Sequence, residues 1–239
     1  MTQTTREYLF GGEYAKERAR LAGIETLWDP GSQSLLDEVG LGPGWRCLEV
    51  GAGGGSLVEW MVQRGATVTA VDIDTQFIEH LASDAVDVRR LDIRTDGLPD
   101  GEFDLVHARL VLEHLSDRRK IVDRLAGTLR PGGWMVIEDY DWTCFDWENE
   151  DPSLEATTQA ITGFMERAGY ERDYGRRVVA DIAEAGFIDV RGEGRARIID
   201  ARAPGIRLLQ AVNREHAPNS RRGWRVGRRR CRRRHRTLG

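Results

Sequence analysis

Lysine is nearly absent: two stand against 33 arginines in a chain of 239 residues. Cysteine is also scarce. Cys47, Cys144 and Cys231 are odd in number, scattered and without metal-ligand spacing, which argues against a disulfide framework or a zinc site and for a reducing compartment. No uninterrupted apolar run approaches the ~18 residues of a membrane span, and no signal-peptide pattern follows Met1. A cytoplasmic chain without a membrane partner is expected. Internal repeats are lacking as well. With 40% hydrophobic and 31% charged residues, the length suits one large α/β domain around a single core.

Acid is missing from the C-terminus. Residues 221–239 hold ten arginines and no Asp or Glu, so residues 1–220 carry 25 basic against 39 acidic side chains. The net charge of −4 therefore divides into a body of −14 and a tail of +10. Phosphate binding depends on clustered Lys and Arg, so the body is a poor nucleic-acid surface, and no nucleic-acid partner is expected.

What the chain does contain is a glycine stretch, Leu48-Glu49-Val50-Gly51-Ala52-Gly53-Gly54-Gly55-Ser56. A short apolar run from Trp45 to Val50 leads in, and a helical pattern from Leu57 to Val62 leads out. Strand, glycine turn and helix is the context in which such a loop lets a ligand approach the backbone and the helix N-terminus. A dinucleotide fingerprint reads G-x-G-x-x-G/A. Here Gly51, Gly53 and Gly55 give G-x-G-x-G, and Ser56 stands at the dinucleotide's third position. Glu49 adds a carboxylate at the strand end, which repels a pyrophosphate and suits a cationic ligand. A tight βα turn with no ligand is the plainer alternative.

At these residues the chain resembles the class I S-adenosylmethionine (SAM)-dependent methyltransferases, whose first motif reads E/D-x-G-x-G-x-G. The resemblance implies that Glu49, Gly51, Ala52, Gly53 and Gly55 lie near the methionine part of SAM. Asp72 ends Thr-Val-Thr-Ala-Val-Asp, 21 residues after Gly51, where nucleotide-binding α/β proteins place an acid for the ribose hydroxyls, with Ile73 beside it. Asp74 reads better as a helix cap. The family pattern also implies that Asp92 receives the adenine amino group and Ile93 packs on the ring. Phe103 to Arg109, followed by Leu112-Glu113-His114-Leu115, resembles the fourth motif, which lines cofactor and substrate; His107 joins the cofactor set on that ground. Leu129-Arg130-Pro131-Gly132-Gly133-Trp134 matches the loop before the fifth strand.

The fold expected is Rossmann-like, a mostly parallel seven-stranded sheet with helices on both faces and an N-terminal helical cap. Strands are predicted at Arg46–Val50, Thr67–Val71, Asp87–Leu91, Asp104–His107 and Trp134–Glu138, closed by Phe187–Val190 and Ala196–Ile199. Helices are predicted at Leu57–Arg64, Thr75–Ser83, Arg118–Leu129 and Arg176–Ala185, with a helical segment over residues 5–40 that restarts after Pro30. The divisions are a cap over 1–42, a SAM-binding domain over 43–203 with a substrate lid about 141–175, a C-terminal helix over 204–219 and an Arg-rich tail over 220–239.

SAM carries its methyl group on a sulfonium, so transfer implies direct in-line displacement without a metal. The protein orients the nucleophile, excludes water and, for a hydroxyl, removes a proton. Candidate catalytic residues are His114, His107 and Asp139, with Glu138 and Asp141 nearby; a packing or cofactor-side role is the alternative for His114. Tyr8, Arg109, Tyr140, Trp142 and Phe145 are candidate substrate contacts, since aromatic faces grip a flat molecule and favour a cation. Core packing is the alternative for Tyr8 and for Trp28. The expected partner is a small aromatic or polycyclic metabolite, with a homodimer left open. Rival readings are an NAD(P)-dependent oxidoreductase, disfavoured by the glycine spacing, and a SAM-binding protein without catalysis.

Composition changes abruptly after Asn219. An arginine-rich coding habit and the interrupted helix after Pro204 make the segment beyond about Ala217 read as a frameshifted end, with a basic arm for an acidic partner as the alternative. Deleting residues 220–239 is expected to leave SAM affinity and methyl transfer unchanged. A large loss of transfer at unchanged stability shows instead that the arginines contribute.

Overall fold

Apolar, β-branched runs form five strands: β1 (Arg46–Val50), β2 (Thr67–Asp72), β3 (Val86–Arg90), β4 (Phe103–Arg109) and β5 (Leu129–Glu138). They come from a computed structural model that describes residues 14–99, 103–147 and 152–199. Tyr8, the 204–219 segment and the arginine tail lie outside the described residues. All pairings are parallel, in the order β3-β2-β1-β4-β5. The chain builds outward from β1 through β2 to β3, then crosses back to lay β4 on the other side of β1. Strand order thus reverses between β1 and β4, and the carboxyl ends there open a crevice in which α/β folds bind ligands.

Helices cover both faces, as a parallel sheet requires. They are α1 (Tyr14–Glu38), α2 (Ser56–Gln63), α3 (Arg118–Ala126), α4 (Pro152–Arg167) and α5 (Tyr174–Glu184). Alternation along β1 sends Cys47 to one core and Leu48 and Val50 to the other. The first core joins Leu36 of α1 with Leu57, Val58 and Met61 of α2; the second joins Ile121, Val122 and Leu125 of α3 with Tyr174 and Val178 of α5.

Several expected boundaries are corrected. Pro30 does not start a second helix, because α1 runs through it as one 25-residue helix. A proline inside a helix costs about 3 kcal/mol. Tertiary bonds on both sides of it offset that cost: Trp28 Nε1 donates to the Tyr140 hydroxyl at 2.8 Å, and Ser32 accepts from Arg109 at 2.9 Å. The helix expected at Thr75–Ser83 is a single 3-10 turn, Glu79–Leu81. Asp74 accepts from the Gln76 N–H and the Thr75 hydroxyl donates to Glu79, local bonds that compete with helix propagation. Arg130 to Gly133 are not a loop before the fifth strand. They bulge within β5, whose pairing passes from Phe103–Leu129 to Leu105–Trp134.

The two closing strands are absent among the described residues. Residues 187–199 pair with no strand, Ile188 and Ile198 are exposed, and the described sheet ends at β5. Asp189 sits in the left-handed region at φ 57°, and Gly192 and Gly194 follow, so the apolar alternation is broken before a register can form.

Leu36 is fully buried at the C-terminal half of α1. Leu36→Ala is expected to lower the unfolding free energy by about 2–5 kcal/mol in urea titrations. An effect below 1 kcal/mol, roughly that of a surface position, would show that this half of α1 lies off the core.

Candidate active site

The glycine loop turns at the end of β1. The Gly51 and Ala52 N–H groups both donate to Val71 O on β2, at 2.8 and 3.2 Å. Gly51, Gly53 and Gly55 have φ of 67°, 56° and 87°, a region that L side chains rarely adopt. Space is equally restrictive: a Cβ on Gly51 collides with Val111, and one on Gly53 would stand 3.2 Å from Leu21 of α1. Helix α1 therefore lies across the loop. Gly55 caps α2 without any side-chain bond to its first turn.

Asp72, at the end of β2, accepts from the Gly53 N–H at 2.9 Å and from the Asp74 N–H at 3.0 Å. Burial pushes its carboxyl up, against the lowering effect of those two donors. Asp74 accepts from the Gln76 N–H in a local turn ahead of the 3-10 turn at Glu79–Leu81. Asp92 is held below the usual carboxylate range by a two-pronged bond from Arg94, whose Nη2 approaches to 2.6 Å. Glu49, Asp72, Ile73, Asp92 and Ile93 all line one cavity of about 480 Å³, together with the glycine loop.

The same cavity continues to an aromatic wall. Tyr140, Trp142, Phe145 and Trp147 follow one another with ring centroids 5.6, 5.2 and 5.1 Å apart. Their polar ends are engaged: the Tyr140 hydroxyl accepts from Trp28, Trp142 Nε1 donates to the Tyr170 hydroxyl at 2.6 Å, and Trp147 Nε1 to Thr158 at 3.0 Å. Tied off in this way, the rings offer apolar surface. Leu154, Ile161 and Met165 of α4 line the cavity as well. Sequence reasoning passed over these three, although their spacing of seven and then four residues is a helical stripe. It also passed over Glu17, Arg20 and Glu25 of α1, where a charged face carries no such signal.

Among the candidate catalytic residues only His114 lines the cavity. Burial, then the charges of Arg20 and Arg118, push its imidazole down to about 4, so the ring is neutral at pH 7. Its Nε2 lies 3.6 Å from Glu113 Oε1. Burial pushes Glu113 up to about 7, although its carboxylate accepts from the Tyr140 N–H at 2.8 Å.

Asp139 does not reach the cavity. It is buried beneath the turn after β4, accepts from the Val111 N–H at 3.1 Å, and is pushed up by burial and by Glu113. Its place is to hold the turn in which Leu110 takes the left-handed φ of 56°. His107 is wholly buried, lies outside the cavity wall, and has both ring nitrogens on carboxylates. Arg109 lines the cavity with its guanidinium committed to α1, to Ser32 at 2.9 Å and Asp29 at 2.8 Å. Asp141 likewise caps the turn Trp142–Cys144 and pairs with Arg176 at 2.7 Å.

A parallel sheet with a glycine loop at its switch point and an acid ending β2 is the arrangement at which α/β folds bind nucleotides. More specifically, residues 48–137 match the family described as "Methyltransferase domain". Methyltransferase str2 of Strobilurus tenacellus is 31% identical over 150 residues, 59% of this chain and 52% of that protein. A ubiquinone biosynthesis O-methyltransferase of Paracidovorax citrulli is 34% identical over 108 residues, 41% of this chain and 45% of that one. The chain thus spans about half the length of these curated relatives. Phosphoethanolamine N-methyltransferase 2 of Haemonchus contortus, solved in complex with SAM, shares the fold with a TM-score of 0.57 at 20% identity, over 79% of this chain and 45% of that one.

The residues present fit SAM. A cradle that a Cβ would fill brings the glycine backbone to the cavity. Glu49 lines it, and beside Gly54 stands Glu25, whose buried Oε1 has no hydrogen-bond partner among the described residues. Glu25 pairs with Arg18 through Oε2 at 3.0 Å, and its Oε1 together with the Glu49 carboxylate suits a ligand with a sulfonium and an ammonium. Asp72→Ala is expected to weaken SAM binding by about 1–3 kcal/mol in calorimetric titration, the range for losing bonds to a charged acceptor. Unchanged affinity in a folded variant removes Asp72 from the cofactor site.

Proposed function

We propose that the protein is a SAM-dependent methyltransferase acting on a small aromatic or polycyclic metabolite. One observation carries this reading: a single cavity runs from the glycine loop to the aromatic wall. When bound, SAM supplies a methyl group on a cationic sulfur, open to direct displacement by a nucleophile. Glu49 and Glu25 receive the positive charge, Asp72 accepts from the ribose hydroxyls, and Asp92 and Ile93 hold the adenine. Tyr140, Trp142 and Phe145 orient a flat acceptor against α4 and exclude water. His114, neutral at pH 7, accepts a hydrogen bond from the acceptor's X–H group; with its pKa down at about 4 it is a weak base that orients more than it deprotonates. The name of the Paracidovorax relative, an O-methyltransferase, supports a hydroxyl as that group. Tyr8, outside the described residues, stays in this reading as a substrate contact from the N-terminal segment.

The test begins with calorimetric titration of SAM and of NADH, then follows transfer of labelled methyl to a panel of phenols and polycyclic alcohols. SAM is expected to bind and NADH is not. Trp142→Ala is expected to raise KM for the acceptor roughly tenfold, about 1.5 kcal/mol of aromatic contact, at unchanged SAM affinity. Binding of NADH overturns the cofactor assignment. Binding of SAM with no transfer across the panel overturns catalysis.

A further inference from the structure

A buried ion triad spans three neighbouring strands under the cavity floor. Glu49 on β1 stands directly across from His107 on β4, and His107 across from Val136 on β5, two residues before Glu138. His107 Nδ1 lies 2.7 Å from Glu49 Oε2, and Nε2 lies 3.0 Å from Glu138 Oε1. The ring is wholly buried, and the side chains of Glu49 and Glu138 are 4% and 21% exposed. With both carboxylates ionised, each can accept only if both ring nitrogens carry protons, which makes the ring an imidazolium. Burial works against that charge, yet Glu49 and Glu138 together outweigh it and hold His107 up at about 9. Of the three, only Glu49 lines the cavity.

We propose that His107 is a positioning residue, whose doubly bonded ring fixes Glu49 of the cavity floor in the orientation and charge state that a cationic cofactor needs. This rests on the SAM reading above. A buried carboxylate without a cationic partner favours its protonated form, to escape desolvation. A second carboxylate on the far side of the ring keeps the assembly at a net single negative charge, so the cavity meets an anion and not a neutral pair. The link also runs outward. On the same strand as His107, Arg109 holds Ser32 and Asp29 of α1, which joins β4 to the helix lying over the glycine loop.

On β1, Cys47 stays a thiol, pushed up to about 12 by burial and by Glu49; on β4 stands Arg109, and on α1 Asp29 is paired with it. Across the cavity, burial also pushes up Asp72 and Glu113. Those two titrate in wild type and variant alike, so the readout is the difference between two profiles.

Calorimetric titration of SAM into wild type and His107→Gln is run at about pH 6 and about pH 8.5. Glutamine bonds one carboxylate without a charge. A buried carboxylate left without a cationic partner is protonated more readily, so the variant presents less anion to the cofactor at low pH. In wild type the ring stays cationic below about 9. The variant is expected to lose roughly tenfold more SAM affinity than wild type between the two pH values, the equivalent of one unit of carboxyl titration. A uniform loss at both pH values marks a merely structural role and overturns the proposal, as do superimposable profiles. Wild type that binds no SAM sinks the cofactor reading and this inference together. Should His107→Gln fail to fold, nitrogen NMR of the wild-type imidazoles decides: a doubly protonated His107 at about pH 7.5, with resonances that move on SAM addition, is expected. A neutral ring, or resonances that do not move, overturns the proposal.

Discussion

The pairing of β1 with β4 is the constraint on which the rest of the structure depends. It is a non-local parallel contact, made after the chain has laid β2 and β3 on the opposite side of β1. Because the strand order reverses there, the glycine loop after β1 and the turn after β4 leave the sheet on diverging paths, and the cavity opens between them. The contact is close: Val111 after β4 occupies the space that a side chain on Gly51 would need. Register on this pair also sets the chemistry, since it places Glu49 opposite His107. A slip of one residue would turn both side chains to the other face.

Around that pair the polar groups serve mainly to hold elements in place. Asp72 ties β2 to the glycine loop, Asp139 and Glu113 hold the turn after β4, and Arg109 fastens α1 to the sheet. Each bond contributes about 1–3 kcal/mol when one partner is charged. The burial of so many carboxyls has a chemical consequence beyond stability. Asp72, Glu113 and Asp139 are all pushed up, while Glu138 is held down because its bond to the His107 imidazolium outweighs its own burial. Charge in this site is thus set by partnership more than by residue type.

Legibility in the sequence followed the range of the interactions concerned. The first five strands were readable from short apolar runs, and the observed strands contain or overlap every one of them. The aromatic cluster after β5 was readable because it uses neighbours close in the chain. Helix α1 was misread at Pro30 because the bonds that carry it through that residue come from Tyr140 and Arg109, some 80 to 112 positions away. Residues 187–199 show the opposite failure: an alternating apolar pattern that the left-handed Asp189 and two glycines keep from pairing.

By itself the sequence determined the type of ligand-binding loop, its acidic neighbour and the acid ending β2, because these depend on spacing along a strand and a turn. It could not assign the titratable groups. His107 and His114 look alike as sequence, two histidines seven residues apart in one motif. The tertiary structure separates them, about 9 against about 4, since one is held between two carboxylates and the other is buried with the charges of Arg20 and Arg118 nearby. Those surroundings come from β1, β5, α1 and the head of α3, elements apart in the chain that meet only when the sheet closes and water is driven from between them.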